Sequence, residues 1–168
     1  MRYKLTALMI QETHIQNQGL HKLKSTDGKT TLHLYNSGHQ NRSKGGVRII
    51  VNTNTKITFK PISERICLVT AKIDNSQKIN IISTYAPTLE NTQKKPEETQ
   101  NFYNKLSSVI KMTKNRDALI IGGDFNAKTK LTNNNLHKMY KQNVGKYSKS
   151  EINENGELLL EFAKSQNL

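Results

Sequence analysis

Asp117-Ala118-Leu119-Ile120-Ile121-Gly122-Gly123-Asp124-Phe125-Asn126-Ala127-Lys128 is the stretch whose reading decides the fold. Ala118 to Ile121 is a continuous apolar run without alternation, the pattern of a strand covered on both faces. Gly122 and Gly123 follow at once and permit backbone angles closed to other residues. The chain therefore turns sharply where the strand stops and presents Asp124 and Asn126 side by side. Two readings fit that presentation. An acid and an amide at the end of a buried strand form a site; Gly, Asp and Asn are also the usual residues of a tight turn.

Upstream, Pro96 to Met112 is the clearest helix, with Pro96 in its first turn, Glu97 and Glu98 at the positive end of the dipole, and Phe102, Leu106, Val109 and Ile110 on one face. Before it, Ile66 to Asp74 and Lys78 to Thr84 are β-rich runs on either side of Asn75-Ser76-Gln77, which predicts a hairpin. The second run leads into Tyr85-Ala86-Pro87-Thr88, where Pro87 stops the ladder and leaves Tyr85 at a strand terminus. There its phenol suits either a hydrogen bond to a phosphate or packing at the sheet rim. Leu32 to Asn36, Val47 to Asn52 and Lys56 to Pro61 predict further strands, Ser37 to Lys44 an exposed loop, and the whole an antiparallel arrangement.

Near the start, Leu5 to Ile10 reads as a short buried strand that delivers Gln11-Glu12-Thr13-His14. Glu12 is the only acid among the first 26 residues, so it reads as a metal ligand or as a cap; His14 reads as a surface residue. Downstream of the opening stretch the chain is polar, basic and loop-rich. At Asn153-Glu154-Asn155-Gly156 a second helix begins and runs through Leu158, Leu159, Phe162 and Ala163.

A chain of 168 residues is most simply one domain, 1–168, able to bury roughly 70% of its unfolded surface. With no Trp and only four Phe, its core must come from Ile, Leu and Val. No apolar run is long enough for a membrane span and no signal-peptide region opens the sequence, so a soluble, intracellular protein without a membrane partner is expected. The single cysteine, Cys67, lies in an apolar stretch and reads as a buried, inert thiol. The 26 basic and 13 acidic residues leave a net charge of +13, which calls for a polyanionic partner, most commonly nucleic acid. Gly28 to Ser63 and Phe125 to Ser150 contain no acid at all. Lys44 and Arg48 in the first, and Lys128 and Lys130 in the second, are the candidate phosphate contacts, with Tyr140 and Tyr147 interleaved as stacking or packing surfaces.

Taken in order, Gln11-Glu12-Thr13, Gly45-Gly46-Val47, Ser63-Glu64-Arg65-Ile66, Tyr85-Ala86-Pro87, Gly123-Asp124-Phe125-Asn126 and Asn153-x-Asn155-Gly156 resemble the endonuclease/exonuclease/phosphatase superfamily. The likeness covers nearly the whole chain and is nearest to the apurinic-endonuclease-like domains of non-LTR (LINE-type) retrotransposons and to craniofacial development protein 2-like proteins. It implies an α+β, four-layer α/β/β/α sandwich of two mostly antiparallel sheets, with a site gathered from strand ends at one edge. It also implies roles by position. Glu12 matches a glutamate that coordinates Mg²⁺ (or Mn²⁺), and Asp124 an aspartate that aligns and deprotonates the attacking water. Asn126 matches an amide holding water and phosphate, and Tyr85 a tyrosine contacting phosphate. The implied activity is Mg²⁺-dependent phosphodiester hydrolysis in DNA, nuclear where the DNA is chromosomal, alongside a reverse transcriptase domain in a longer polyprotein.

The sequence also departs from that pattern. Family members begin with a strand carrying Asn and finish with strands carrying Asp and Ser-Asp-His, and neither is present; none of His14, His21, His33, His39 or His137 stands where the family places its histidine. The expectation is therefore a sandwich incomplete at its first and last strands, with an open sheet edge and impaired activity, since losing a charge-stabilising group costs about 10² to 10³ in rate. A catalytically dead, retroelement-derived fragment that still binds nucleic acid is the alternative.

Overall fold

The apolar runs become strands of two four-stranded sheets in the computed structural model, which describes residues 5–25, 28–52, 56–74, 76–145, 147–148 and 150–168. The first sheet contains β1 (Ala7–Gln11), β2 (Gln18–Lys24), β3 (Thr31–Ser37) and β4 (Val47–Val51), in the order β1-β4-β3-β2. The second contains β5 (Ile57–Ser63), β6 (Ile66–Lys72), β7 (Lys78–Tyr85) and β8 (Ala118–Asp124), in that order. The pairs β1/β4, β3/β4, β2/β3, β5/β6 and β6/β7 are all antiparallel. Four helices accompany the sheets among the described residues: α1 (Leu89–Lys94), α2 (Pro96–Lys111), α3 (Asn134–Tyr140) and α4 (Glu154–Ser165). The class is α+β with two mostly antiparallel sheets, as the sequence predicts.

The chain forms two compact units, residues 1–85 with 109–123, and residues 86–108 with 124–168. In the first, period-two alternation turns one face of each sheet inward. Val47, Ile49 and Val51 are at most 4% exposed while Arg48 and Ile50 between them are half-buried. These residues meet Tyr35 of β3 and Cys67, Val69 and Ile81 of the second sheet in one core, with Met9, Phe59 and Ile79 against it. The rings of Tyr35 and Phe59 lie 5.1 Å apart across the sheets. Each fully buried Val or Ile contributes about 1.5 to 3 kcal/mol, so this inner seam holds the sandwich closed.

Local chemistry explains the ends of these strands. At the β6/β7 hairpin, the Asp74 carboxylate accepts from the backbone N–H of Ser76 (2.6 Å) and of Gln77 (2.8 Å), which closes the turn and holds its pKa below the ordinary value. Asn75 of the expected turn lies outside the described residues. Pro61 sits on edge strand β5, where its missing N–H harms no ladder, beside a register shift between Pro61 and Ser63.

Two expectations need correction, and one strand was not foreseen. The run Ala118 to Ile121 is not covered on both faces: Leu119 and Ile121 are half-buried, but Ala118 is exposed and Ile120 is 46% exposed. As β8 is the last strand of its sheet, a continuous apolar run here marks an edge rather than a centre. Gln18–Lys24 is a strand although its sequence carries no apolar alternation; it is nearly all exposed and is held by its full-length pairing with β3. The stretch expected to be loop-rich after Lys128 contains helix α3, whose N-cap Asn133 accepts from the N–H of Asn135 at 2.7 Å.

The second unit packs Leu131, Tyr140 and Leu160 together, with Leu136, Val144 and Ile152 against them. A further aromatic group links α2 to α4, with Tyr103 and Phe162 ring centroids 5.0 Å apart. Tyr140 is only 6% exposed, so it packs rather than stacks; Tyr147 is 91% exposed. Lys146 and Lys149 of the basic run lie outside the described residues. No helix among the described residues is long and apolar enough to cross a membrane.

Candidate functional site

In the first unit, β1 ends by delivering Glu12 into a tight loop-on-loop contact. The N–H of Thr13 donates to Gly46 O (3.2 Å), and the N–H of His14 donates to Gly45 O (2.8 Å). Only glycine serves at Gly46, which has φ +90° and where an added Cβ would lie 2.5 Å from Thr13 Oγ1. The N–H of Gly46 in turn donates to Glu64 O (3.1 Å), so three predicted motifs meet through backbone hydrogen bonds. Glu12 and His14 both hold φ +51°, a conformation that L side chains with a Cβ avoid. Their side chains are about half exposed, with His14 Nε2 3.8 Å from Glu12 Oε2. The His14 ring also lies 3.3 Å from Ser43 O.

Tyr85 closes the same region from β7. Its ring packs against the sandwich core, 5.4 Å beneath the Arg65 guanidinium, and its Cδ1 would stand 4.0 Å from a Cβ on Gly45. Its N–H donates to Arg65 O at 2.9 Å, and Arg65 Nη1 donates back to Tyr85 O at 3.3 Å. Gln11, adjacent to Glu12, crosses to β7 and donates to Ser83 Oγ (3.1 Å). Glu12, His14, Gly45, Gly46 and Tyr85 are thereby brought to one end of the sandwich. Lys44 is exposed beside them. Arg48 is different: it is half-buried in β4 between Ile10 and Asn36, and its Nε is buried without a hydrogen-bond partner.

In the second unit, Asp124 and Asn126 are joined as the sequence predicts. The Asp124 carboxylate accepts from the N–H of Asn126 (2.8 Å), while its carbonyl accepts from the N–H of Ala86 (2.8 Å). Asn126 holds φ +50° and donates from Nδ2 to Ala86 O (3.0 Å), so part of its amide is committed to the turn. Both the turn reading and the site reading of this segment therefore have a physical basis: the turn fixes the place where Asp124, exposed to solvent, is presented.

Asn155, read from sequence only as part of a helix start, is the anchor of this turn. It is 2% exposed, donates to Pro87 O (3.0 Å) and Asn126 O (3.2 Å), and accepts from Thr92 Oγ1 (2.6 Å). Asn153 caps α4 by accepting from the N–H of Gly156 (2.9 Å), accepts from the N–H of Lys128 (2.9 Å), and donates to Asn126 O (3.3 Å). Gly156 is required here because a Cβ would lie 1.9 Å from Lys128 O. The spacing Asn153-x-Asn155-Gly156 was the available signal: an asparagine two residues inside a helix, where it is a poor helix former, implies a partner. Lys128 and Lys130 are exposed.

Among the described residues no three His, Cys, Asp or Glu side chains gather in one place. Mg²⁺ needs no such cluster, since it keeps several waters and is held by one or two carboxylates plus substrate phosphate oxygens. The half-exposed hard oxygens of Glu12 fit that mode of binding. No protein-family model and no curated protein matches the chain.

Proposed function

We propose that this chain is a Mg²⁺-dependent (or Mn²⁺-dependent) phosphodiesterase acting on DNA, of the retrotransposon endonuclease type. The observation that supports it most is where the backbone is strained. Among the described residues only Glu12, His14, Asn17, Asn126 and Asn167 are non-glycines at positive φ, and two of those five are residues the resemblance puts in the reaction. Strain of about 1 to 3 kcal/mol per residue persists where the surrounding structure imposes it, and such residues concentrate at functional sites.

Glu12 is the carboxylate ligand. A divalent ion bound there supplies charge that offsets the negative charge growing on the phosphate and leaving oxygen. Asp124 is the general base: its exposed carboxylate, one oxygen anchored by the Asn126 N–H, orients a water and takes its proton. Asn126 and Tyr85 position the water and the phosphate, and Lys44, Arg48, Lys128 and Lys130 hold the DNA backbone. The product is a nick ending in a 3′-hydroxyl, the end a reverse transcriptase extends.

Incubation of the chain with supercoiled plasmid and Mg²⁺ tests this reading. Nicking that is lost in both Glu12→Ala and Asp124→Ala is the expected result; absent nicking, or nicking that survives both, ends it. The net charge of +13 favours a second reading, nucleic-acid binding without cleavage, because phosphate neutralisation needs no carboxylate. Plasmid retained at about 50 mM salt and released by about 200 mM, without nicking, is the result that selects it.

A further inference from the structure

The second unit contains a hollow of about 280 Å³ whose lining includes Lys130, Leu131, His137, Lys141, Val144 and Ser148. The pocket is built into the fold. His137 and Lys141 stand four residues apart, on one face of α3 and its C-cap, where the Lys141 N–H donates to His137 O (3.1 Å). Lys130 is fixed opposite by backbone bonds, its N–H donating to Ser150 O (3.1 Å) and its carbonyl accepting from Ile152 (3.2 Å). Ser148 is tied to Thr129 through a hydroxyl contact of 3.1 Å. Leu131 and Val144 belong to the hydrophobic cluster of this unit, so the floor of the hollow is the core itself.

Among the described residues none of the three basic side chains has an ion-pair partner, and Glu151, the bridge partner of Lys130, makes no ion pair with it. Lys130 and Lys141 over an apolar floor, with no carboxylate in the named lining, leave a positive potential that an anion relieves. A volume near the small end of ligand pockets suits one phosphorylated, partly apolar unit rather than several. Tyr147, almost fully exposed, lies in sequence directly before Ser148 and offers a free aromatic face.

We infer that this hollow is a nucleotide-binding pocket, in which Lys130, His137 and Lys141 receive the phosphate while the Leu131 and Val144 floor and Tyr147 receive the sugar and base. The ligand is a free mononucleotide or one nucleotide of a single strand; the phosphate and base are common to both. The pocket holds whether or not the chain cleaves DNA.

Binding is measured on the full chain by calorimetry in EDTA at about 50 mM salt, which silences metal-dependent cleavage and so separates this pocket from the nuclease reading. The probes are inorganic phosphate, thymidine, thymidine 5′-monophosphate and a ten-residue oligothymidylate. Thymidine monophosphate is expected to bind at least tenfold tighter than phosphate or thymidine. The double variant Lys130→Gln/Lys141→Gln loses at least tenfold in affinity, Tyr147→Ala at least threefold, and Lys72→Gln, in a separate basic hollow of about 230 Å³, loses nothing. Circular dichroism checks that each variant is folded. Oligothymidylate that displaces the monophosphate and binds tighter identifies a strand as the source; displacement with no tighter binding identifies the free nucleotide. Thymidine or phosphate binding as well as the monophosphate, a folded double variant of full affinity, or oligothymidylate that binds without displacing the monophosphate overturns the assignment.

Discussion

Replacing Glu12 by glycine and by alanine separates the backbone of the candidate site from its chemistry. Both substitutions remove the carboxylate and its half-exposed contact with the His14 ring, so those losses cancel between them. What differs is φ +51°. A left-handed backbone costs an L residue about 1 to 2 kcal/mol and costs glycine almost nothing. Glycine gives back about 0.4 to 1 kcal/mol through its freer unfolded chain. Glu12→Gly is therefore expected to be more stable than Glu12→Ala by about 0.5 to 1 kcal/mol, and at least as stable as the parent. For a chain of this size that is an increase in Tm of roughly 1 to 4 °C over Glu12→Ala in a thermal melt followed by circular dichroism. On the nuclease reading, neither variant is expected to nick plasmid. A Glu12→Gly protein that melts below Glu12→Ala refutes the claim that the fold holds this residue under strain, and with it the main support for the nuclease reading.

Other substitutions probe the turn that carries Asp124. Gly156→Ala drives a methyl to 1.9 Å from Lys128 O and should cost about 2 to 4 kcal/mol by urea denaturation, whereas Gly145→Ala, with no atom within 4 Å, should stay within about 0.5 kcal/mol of the parent. Asn155→Ala leaves the buried Pro87 carbonyl without its donor, while the Thr92 hydroxyl keeps Thr88 O, for an expected loss of about 1 to 3 kcal/mol; a loss under 1 kcal/mol in the same titration removes Asn155 from its anchoring role. Burial pushes the Cys67 thiol up to about 12, against a weaker opposing hydrogen bond at Ser83, so no thiol reagent should modify it until the protein unfolds. Because the unfolded thiol releases its proton first, stability is fully present below about pH 9 and declines as pH rises from there toward 12. Buried Tyr103 is shifted in the same direction and adds to that decline. A flat stability curve between pH 8 and 11 contradicts both assignments.

The core was legible because Val47, Ile49 and Val51 announce their inward face by alternation, and because Ile66 to Lys72 and Lys78 to Tyr85 are rich in β-formers around a turn closed by Asp74. Asp124 and Asn126 are joined as expected, but the strand does not stop at the two glycines: β8 runs through Gly122 and Gly123 to Asp124, and the turn falls after it. What stayed hidden was decided by partners distant in sequence. Gln18–Lys24 is a strand only because β3 offers it a row of backbone groups, and no local pattern in Gln-Gly-Leu-His-Lys-Leu-Lys encodes that offer. Ala118 to Ile121 carries the apolar run of a central strand yet sits at an edge, since composition records affinity for the sheet and not the number of neighbours. Asn155, placed inside a helix where Asn is a poor former, signals that it has a partner but not which one: Pro87 and Asn126, 68 and 29 positions away, bring their carbonyls to it.

The four edges of the two sheets are unequally guarded against strand addition. β2 presents Lys22 and Lys24, and β5 carries Lys60, Pro61 and a register shift, features that discourage another chain from pairing. β1 and β8 have no lysine and no proline, and each exposes an apolar side chain, Leu8 and Ile120. These two edges are where strand addition at high protein concentration is expected, and Leu8→Lys and Ile120→Lys should each raise solubility without touching the inner seam between the sheets.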